Sequence, residues 1–226
     1  MAGVLYAIPT PLGGAAADAL PASALATIRA LRHFVVENAK TSRAFLKEVG
    51  LDVHALEIRE IDKTIAPKEL LPGEHSVGLL SEAGCPAIAD PGAALIEAAH
   101  AAGIRVVPLV GPSSIVLALM ASGLEGQRFA FCGYLPREAD ERQTRIKELE
   151  TRSRRERETQ IFIETPYRND ALLQALIETC SASTKLCVAS DLTLDSESIR
   201  TRTARQWRAE RRPIGKRPTV FLLLSG

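Results

Sequence analysis

Short apolar runs alternate with longer amphipathic segments through the first half of the chain. The apolar runs predict buried strands at residues 4–8, 33–37, 76–80 and 104–110. Apolar residues at helical spacing predict helices between them, at residues 22–31, 40–49, 93–102 and 114–120. We predict that Pro91 starts the third helix and that Gly103 follows its end, since proline inside a helix start and glycine after a helix end are expected. This alternation is typical of an α/β layer with mostly parallel strands.

The second half has a different order of elements. We predict strands at residues 129–136, 160–164, 185–190, 198–203 and 219–224, and helices at 137–158 and 171–179. Most strands after residue 185 follow one another without a long helix, which favours mixed or antiparallel pairing. The change of pattern lies near residues 111–114. We therefore expect two α/β domains, a parallel-sheet domain at residues 1–112 and a mixed-sheet domain at residues 113–226.

Composition limits the class of protein. The 226 residues are 46% hydrophobic and carry a net charge of +1, which is ordinary for a globular enzyme and gives no overall field for a polyanion. The four cysteines show no C-x-x-C spacing, so we expect free thiols and no metal site. No secretory signal and no membrane-spanning run of apolar residues is present. We expect a cytoplasmic protein that does not bind membranes.

Three sharp loops, at residues 9–14, 81–86 and 111–114, follow predicted strands of the first domain. Ligands of open parallel sheets bind at the carboxyl ends of the strands, so three such loops favour a ligand site, although tight turns rich in glycine and proline remain an alternative. None of them contains G-x-G-x-x-G or G-x-x-x-x-G-K-[ST], which argues against a dinucleotide or P-loop site. The loops also lack lysine and arginine, which argues against a triphosphate.

Five motifs occur in a fixed order: IPTPLGG, LLSEAGCPAIADPG, VPLVGPSS, FAFCGYLPR and FIETPYR. In this combination the chain resembles the tetrapyrrole methylase superfamily of S-adenosylmethionine-dependent methyltransferases. Within the superfamily it looks most like the branch that methylates a ribose 2′-hydroxyl of 16S ribosomal RNA, as a short and divergent member. The resemblance implies two α/β domains with S-adenosylmethionine in a cleft between them, and a homodimer.

The resemblance also implies which residues contact the cofactor. Matched motif by motif, the expected contacts in the first half are Pro11, Ser81, Glu82, Ala83, Gly84, Ile88 and Ser113. Those in the second half are Ser114, Tyr134, Thr165, Pro166, Asp191, Leu192, Pro218 and Thr219.

The segment after the second strand departs from the pattern of the branch. Where the ribosomal enzymes have Glu-Asp-Thr-Arg, this chain has Glu37-Asn38-Ala39-Lys40. We predict Glu37 and Lys40 as catalytic residues, with Glu37 orienting the acceptor hydroxyl or taking its proton. Lys40 and Arg43 share one helical face and are candidates to bind substrate phosphate, although an exposed basic face explains them equally well.

Residues 200–217 contain eight basic side chains, one acid and Trp207. Such a segment could bind a nucleic-acid backbone, or it could form a solvated helix and loop. We predict Arg208, Arg211 and Arg212 as substrate-binding residues, with RNA as the partner.

The sequence therefore predicts a methyltransferase that uses S-adenosylmethionine and acts on ribosomal or other structured RNA. Two alternatives stay open: a methylase of a small molecule such as a tetrapyrrole, and a non-catalytic module that binds the cofactor or RNA.

Overall fold

A computed structural model describes residues 3–62, 64–210 and 212–226. The chain divides into two compact units, Met1–Ser113 and Ser114–Gly226.

The first unit contains five strands: β1 (Leu5–Ile8), β2 (His33–Val36), β3 (Glu57–Glu60), β4 (Val77–Leu80) and β5 (Val106–Pro108). Its helices are α1 (Ala16–Ala19), α2 (Ala22–Ala30), α3 (Ala39–Glu48) and α4 (Ala93–Ala101), with short 3₁₀ turns at Val53–Ala55 and Pro67–Leu70. The strand order is β3-β2-β4-β1-β5, and every pair is parallel. The predicted parallel sheet is confirmed.

Helices cover both faces of this sheet. On one face Ile8 and Phe34 pack with Ile28 and Leu46 from α2 and α3. On the other face, alternate strand residues such as Leu5, Val35 and Leu79 pack with Leu95 of α4. Because successive side chains of a strand point to opposite faces, a strand buried on both faces needs a continuous apolar run. The apolar runs of β1, β2 and β4 meet this requirement.

The second unit begins with α5 (Ser114–Ser122) and continues through β6 (Phe129–Tyr134), α6 (Ala139–Glu156), β7 (Thr159–Ile163) and α7 (Asn169–Thr179). It ends with β8 (Lys185–Ser190), β9 (Ser198–Thr203), α8 (Ala204–Ala209) and β10 (Thr219–Leu224), and a 3₁₀ turn lies at Pro166–Arg168. The strand order is β6-β7-β10-β8-β9. Only β6 and β7 are parallel and the other pairs are antiparallel, so the predicted mixed sheet is confirmed.

The core of the second unit lies between the sheet and helices α6, α7 and α8. Phe162 and Phe221 stack with their ring centroids 6.1 Å apart, and Ile146, Leu176 and Trp207 contribute from the three helices. Helix α5 contacts β8, β9 and β10. The Thr201 hydroxyl donates to the Ser122 carbonyl at 2.6 Å, which ties β9 to the end of this helix.

Three elements were not predicted from the sequence. Strand β3 is an edge strand with the sequence Glu-Ile-Arg-Glu, so it lacks the apolar run of the buried strands. Helices α1 and α8 have four and six residues, too few to show a helical period. Helix α8 is held by a capping box between Thr203 and Gln206.

The prediction for α4 needs one correction. Pro91 lies outside the helix, because Gly92 at φ 128° is the residue that precedes the first helical position.

No helix in the described parts of the chain is both long and apolar enough to cross a membrane. Across residues 3–62, 64–210 and 212–226, no cluster of three or more His, Cys, Asp and Glu side chains could hold a metal ion.

Gly78, at the centre of β4, gives a test of the packing in the first unit. A Cβ atom there would lie 2.7 Å from Ile8 Cδ1 and 2.8 Å from Phe34 Cδ1. Both side chains are fully buried and cannot move aside, so Gly78→Ala should lower the free energy of unfolding by about 1–3 kcal/mol. Urea unfolding followed by circular dichroism measures this change. Gly73→Ala is the control, because a Cβ there meets nothing within 4 Å, and an equal loss in both variants would contradict the packing.

Candidate functional site

The carboxyl ends of the parallel strands place several loops along one edge of the first sheet. The loops after β1 and β4 are joined by two backbone hydrogen bonds. Thr10 N–H donates to Gly84 O at 2.9 Å, and Gly84 N–H donates to Thr10 O at 3.0 Å. The Thr10 hydroxyl also donates to Ser81 O at 3.3 Å. The two loops predicted to bind a ligand therefore form one connected backbone surface.

The loop at residues 81–92 has an unusual backbone. Gly84 and Gly92 have φ angles of 81° and 128°, and the non-glycine residues Ala87 and Ala89 have φ angles of 66° and 65°. A left-handed conformation costs a non-glycine residue about 1–2 kcal/mol, and it persists only where the surroundings fix it. Ile88, between the two alanines, is 49% exposed. Strain of this kind is concentrated at functional sites, which supports a functional interpretation of the loop.

Glu37 lies next to this loop because β2 and β4 are neighbours. Its backbone N–H donates to Leu80 O at 3.1 Å, and its carboxylate accepts from Glu82 N–H at 3.1 Å. The carboxylate of Glu82 accepts from the Thr41 hydroxyl at 3.2 Å. The predicted catalytic residue Glu37 and the predicted cofactor contact Glu82 are therefore brought together.

Asp90 is a further acid at this edge that was not among the predicted site residues. Burial, followed by the negative charges of Glu37 and Glu82, raises the pKa of Asp90 to about 6, against a smaller opposing effect of a hydrogen bond from Ser81. Asp90 therefore changes protonation near neutral pH, as general bases commonly do. Its place in the Asp-Pro-Gly motif was visible in the sequence, but its nearness to Glu37 requires the pairing of β2 with β4.

The cations predicted beside Glu37 lie on α3. Lys40 and Arg43 are exposed. Asn38, which stands where the ribosomal branch has an acid, caps this helix by accepting from Lys40 N–H at 2.9 Å. The departure from the family motif therefore still allows a regular helix start.

The loop after β5 also contacts the strained loop. Gly111 lies so close to Pro9 that a Cβ at Gly111 would be 2.4 Å from Pro9 Cβ. The Cys85 thiol donates to Pro112 O at 3.4 Å. Burial, together with the charge of Asp90, raises the pKa of Cys85, so this thiol is a poor nucleophile. The predicted contacts Pro11 and Ser113 are half-buried in these loops.

The predicted cofactor contacts of the second unit share one edge of its sheet. Strands β6, β7 and β8 end at the edge where β10 begins, as the pairs Tyr134 with Ile163, Val220 with Ile163 and Thr219 with Ser190 show. The structure brings together six of the predicted contacts there: Tyr134, Thr165, Pro166, Asp191, Pro218 and Thr219. Leu192 follows Asp191 and is buried, and Ser114 begins α5.

Asp191 already has internal partners at this edge. Its φ angle is 51°, and its backbone N–H donates to Pro218 O at 3.0 Å. Its carboxylate accepts from Arg217 Nε at 2.7 Å and from the Ser196 hydroxyl at 2.8 Å. Although partial burial favours the neutral acid, these two hydrogen bonds lower the pKa of Asp191 below its usual value. The side chain therefore fixes the loop, and a ligand contact would come from the backbone.

Glu164 is likewise engaged within the unit. It is 6% exposed and accepts from Thr165 N–H at 2.7 Å and from the Arg168 guanidinium. Its carboxylate therefore caps the turn that carries Thr165 and Pro166.

The basic segment at residues 200–217 does not form one binding face. Arg208 donates to Ile177 O at 2.7 Å and to Cys180 O at 3.1 Å, which caps the carboxyl end of α7. Trp207 is buried and donates to Leu186 O at 3.0 Å, so it cannot stack on a base. Arg212 is exposed, and Arg211 lies outside the described residues. The predicted RNA contact of Arg208 stays a prediction, now beside a structural role.

Comparison with known proteins agrees with this arrangement. A family profile for Tetrapyrrole (Corrin/Porphyrin) Methylases matches residues 4–207. The ribosomal RNA small subunit methyltransferase I of Mesorhizobium japonicum is 36% identical over 204 residues, which is 89% of this chain and 67% of that protein. The enzyme of the same name from Pasteurella multocida is 30% identical over 233 residues, which is 100% of this chain and 80% of that protein.

Two solved structures share the fold. The methyltransferase CobJ matches with a TM-score of 0.64 at 17% identity, over 99% of this chain and 95% of the other. Uroporphyrin-III-C-methyltransferase from Thermus thermophilus matches with a TM-score of 0.57 at 19% identity, over 98% of this chain and 94% of the other. The fold, the order of the motifs and the extent of the profile match together show that this chain belongs to the tetrapyrrole methylase family of methyltransferases.

Proposed function

We propose that this protein transfers a methyl group from S-adenosylmethionine to RNA of the small ribosomal subunit, with a ribose hydroxyl as the acceptor. The observation that carries the proposal is the strained loop at residues 81–92, joined to the loop after β1 at the carboxyl edge of a parallel sheet. The curated relatives, named for ribosomal RNA methylation, support RNA as the acceptor class. A ribosomal acceptor would place the protein in the cytoplasm.

The residues of both edges fit S-adenosylmethionine chemically. Its amino-acid part and its ribose need hydrogen-bonding groups, and the loops of the first unit present backbone N–H and C=O groups with the half-buried Ser113 side chain. Its adenine needs an apolar face with polar groups at the rim, and the second unit presents Tyr134 and Pro166, whereas Leu192 is buried. The bound cofactor supplies an electrophilic methyl group on a sulfonium sulfur. The remaining predicted cofactor contacts belong to the same two groups, Pro11 to the loops of the first unit and Ser114 to the second unit. The homodimer that the resemblance implies stays a prediction.

The chain itself must position the acceptor and remove its proton. A ribose hydroxyl is not ionised at neutral pH, so it needs a hydrogen-bond acceptor and correct alignment. Glu37 is held in place by Glu82 N–H, and Asp90 lies near it with a pKa of about 6. A bound S-adenosylmethionine would supply the methyl group for the acceptor oxygen, and a carboxylate of this chain would receive the proton of the hydroxyl. Lys40 and Arg43 lie on the exposed side of α3, where they can contact phosphate.

The family name and the fold neighbours favour one second candidate, methylation of a small tetrapyrrole-like acceptor. The deciding experiment incubates the protein with methyl-labelled S-adenosylmethionine and small ribosomal subunits from a strain that lacks it. Label mapped to one ribose of the RNA supports the proposal. Label that appears only in an added porphyrinoid supports the second candidate, and no label in either favours a non-catalytic module.

Ala83 tests the proposed cofactor site without changing a left-handed residue. The unaltered protein should bind S-adenosylmethionine with a Kd in the micromolar range, about −8 kcal/mol. Ala83→Val adds two methyl groups at an exposed position of the loop, so it should weaken binding at least about tenfold, or 1.4 kcal/mol. Isothermal titration calorimetry measures this. Ala102→Val, at an exposed position after α4, should bind as the unaltered protein does, and equal affinity in both variants would remove Ala83 from the site.

Glu37→Gln separates the charge of Glu37 from its structural hydrogen bond, because the amide oxygen can still accept from Glu82 N–H. Turnover should fall about 100-fold, the usual scale for a general acid–base group, while cofactor affinity stays the same.

The pH profile gives a second readout of the same variant. If ionised Asp90 takes part, kcat/KM of the unaltered enzyme should rise with pH through about 6. Removing the like charge of Glu37 lowers the pKa of Asp90, so the rise should move to lower pH in Glu37→Gln. Unchanged turnover and an unchanged profile would leave positioning alone to explain the rate.

A further inference from the structure

The second unit contains a cavity that neither the predicted cofactor contacts nor the predicted catalytic residues occupy. Its volume is about 120 Å³, many times the roughly 10–15 Å³ that one water molecule requires. Its lining residues include three arginines, two serines and one tryptophan: Arg200, Arg212, Arg217, Ser190, Ser198 and Trp207.

The side chains reach this cavity from one face of the sheet. Ser198 and Arg200 are two residues apart on β9, so they share a face, and they pair with Ser190 and Val188 of β8. Trp207 of α8 packs into the core on this face. Thr201, the residue after Arg200 on β9, faces α5 instead. The cavity therefore lies on the α8 side of the sheet, whereas α5 contacts β9 through the other face.

The three arginines differ in what neutralises them. Arg217 forms an ion pair with Asp191 at 2.7 Å. Arg202 lies two residues after Arg200 on β9, on the same face of the sheet, and forms an ion pair with Glu210 at 3.0 Å. For Arg200 and Arg212, no acid within the described ranges forms an ion pair and no described group accepts a hydrogen bond from their side chains. Both side chains are exposed, so solvent screens their charges, and an anion in the cavity could pair with both.

Protection of an exposed sheet edge does not account for this set. Charged side chains on an edge strand discourage pairing with another chain, and β9 is an edge strand. That role needs charges along β9 alone. Arg212 and Arg217 lie beyond α8, near the start of β10, and still line the same cavity as Arg200. Convergence from separate parts of the chain is expected of a ligand site.

We propose that this cavity binds a phosphate group of the RNA backbone, with Arg200 and Arg212 as the principal contacts and the Ser198 hydroxyl as a further donor. Guanidinium groups bind phosphate through paired N–H donors, and hydroxyls complete such sites. The proposal rests on the proposed function, because it names a contact for the same RNA acceptor. It also revises the basic segment, since Arg208 is engaged in capping α7 and Arg200 was not among the predicted substrate contacts.

The test compares the double variant Arg200→Gln/Arg212→Gln with the single variant Arg205→Gln. Arg205 is an exposed cation of the same segment that does not line the cavity. Fluorescence anisotropy with a labelled single-stranded fragment of small-subunit ribosomal RNA gives the affinity at several salt concentrations, without a methyl donor present. Thermal unfolding and S-adenosylmethionine affinity show whether each variant is folded.

The double variant should bind the RNA about tenfold more weakly. The slope of log K against log salt should become shallower by about 0.7, the value expected for one lost phosphate contact on a single strand. Arg205→Gln should change neither quantity by as much. A change in log K of the double variant no larger than twice that of Arg205→Gln would overturn the proposal, since the loss of two charges against one would then explain it. Unchanged RNA binding in the double variant would also overturn it.

Two further outcomes separate this site from the proposed function. If the double variant binds RNA weakly but the unaltered protein transfers no label, the phosphate site stands and the methylation proposal fails. If the unaltered protein methylates RNA and the double variant binds RNA unchanged, the phosphate site fails alone. The cavity could instead bind free inorganic phosphate, and a titration with that ion tests this alternative. Tight binding of the ion, together with unchanged RNA affinity in the double variant, would overturn an RNA site.

Discussion

Two reciprocal hydrogen bonds between the backbones of Thr10 and Gly84 hold together the loops that follow β1 and β4. These strands are neighbours in a parallel sheet, so their carboxyl ends already lie side by side. The bonds convert two separate turns into one surface. Gly84 can make both bonds because its φ of 81° is accessible to glycine at little cost. The Thr10 hydroxyl donates to Ser81 O at this junction, and the next residue, Glu82, donates its backbone N–H to Glu37.

Much of the fold could be predicted because the buried strands have simple requirements. Strands β1, β2 and β4 are covered on both faces, so their apolar runs are continuous and easy to recognise. Strand β3 was missed because it lies at an edge, where solvent accepts the charged side chains of Glu57, Arg59 and Glu60. The pattern of hydrophobic and polar residues indicates which positions are buried. A strand with few buried residues, such as β3, therefore shows no clear pattern.

The sequence could assign to the candidate site only those residues that directly follow a predicted strand. The loops were found from their glycines and prolines. Asp90 was missed because its raised pKa comes from burial and from the charge of Glu37, which is more than fifty positions away in sequence. The role of Arg208 depends on the end of α7, about thirty residues earlier, and Trp207 was counted with the basic segment although it is buried. Such pairings follow from packing, and composition does not reveal them.

Ala87 and Ala89 adopt angles that glycine would adopt without strain. A glycine at either position would relieve the backbone strain of the folded loop. It would also allow the unliganded loop many more conformations. Alanine therefore restricts the free loop to few shapes at the expense of local strain. Much of the ordering entropy of ligand binding is then lost during folding and not at the moment of binding. The stiffness of this loop, more than the number of its contacts, would set how tightly a small ligand is held.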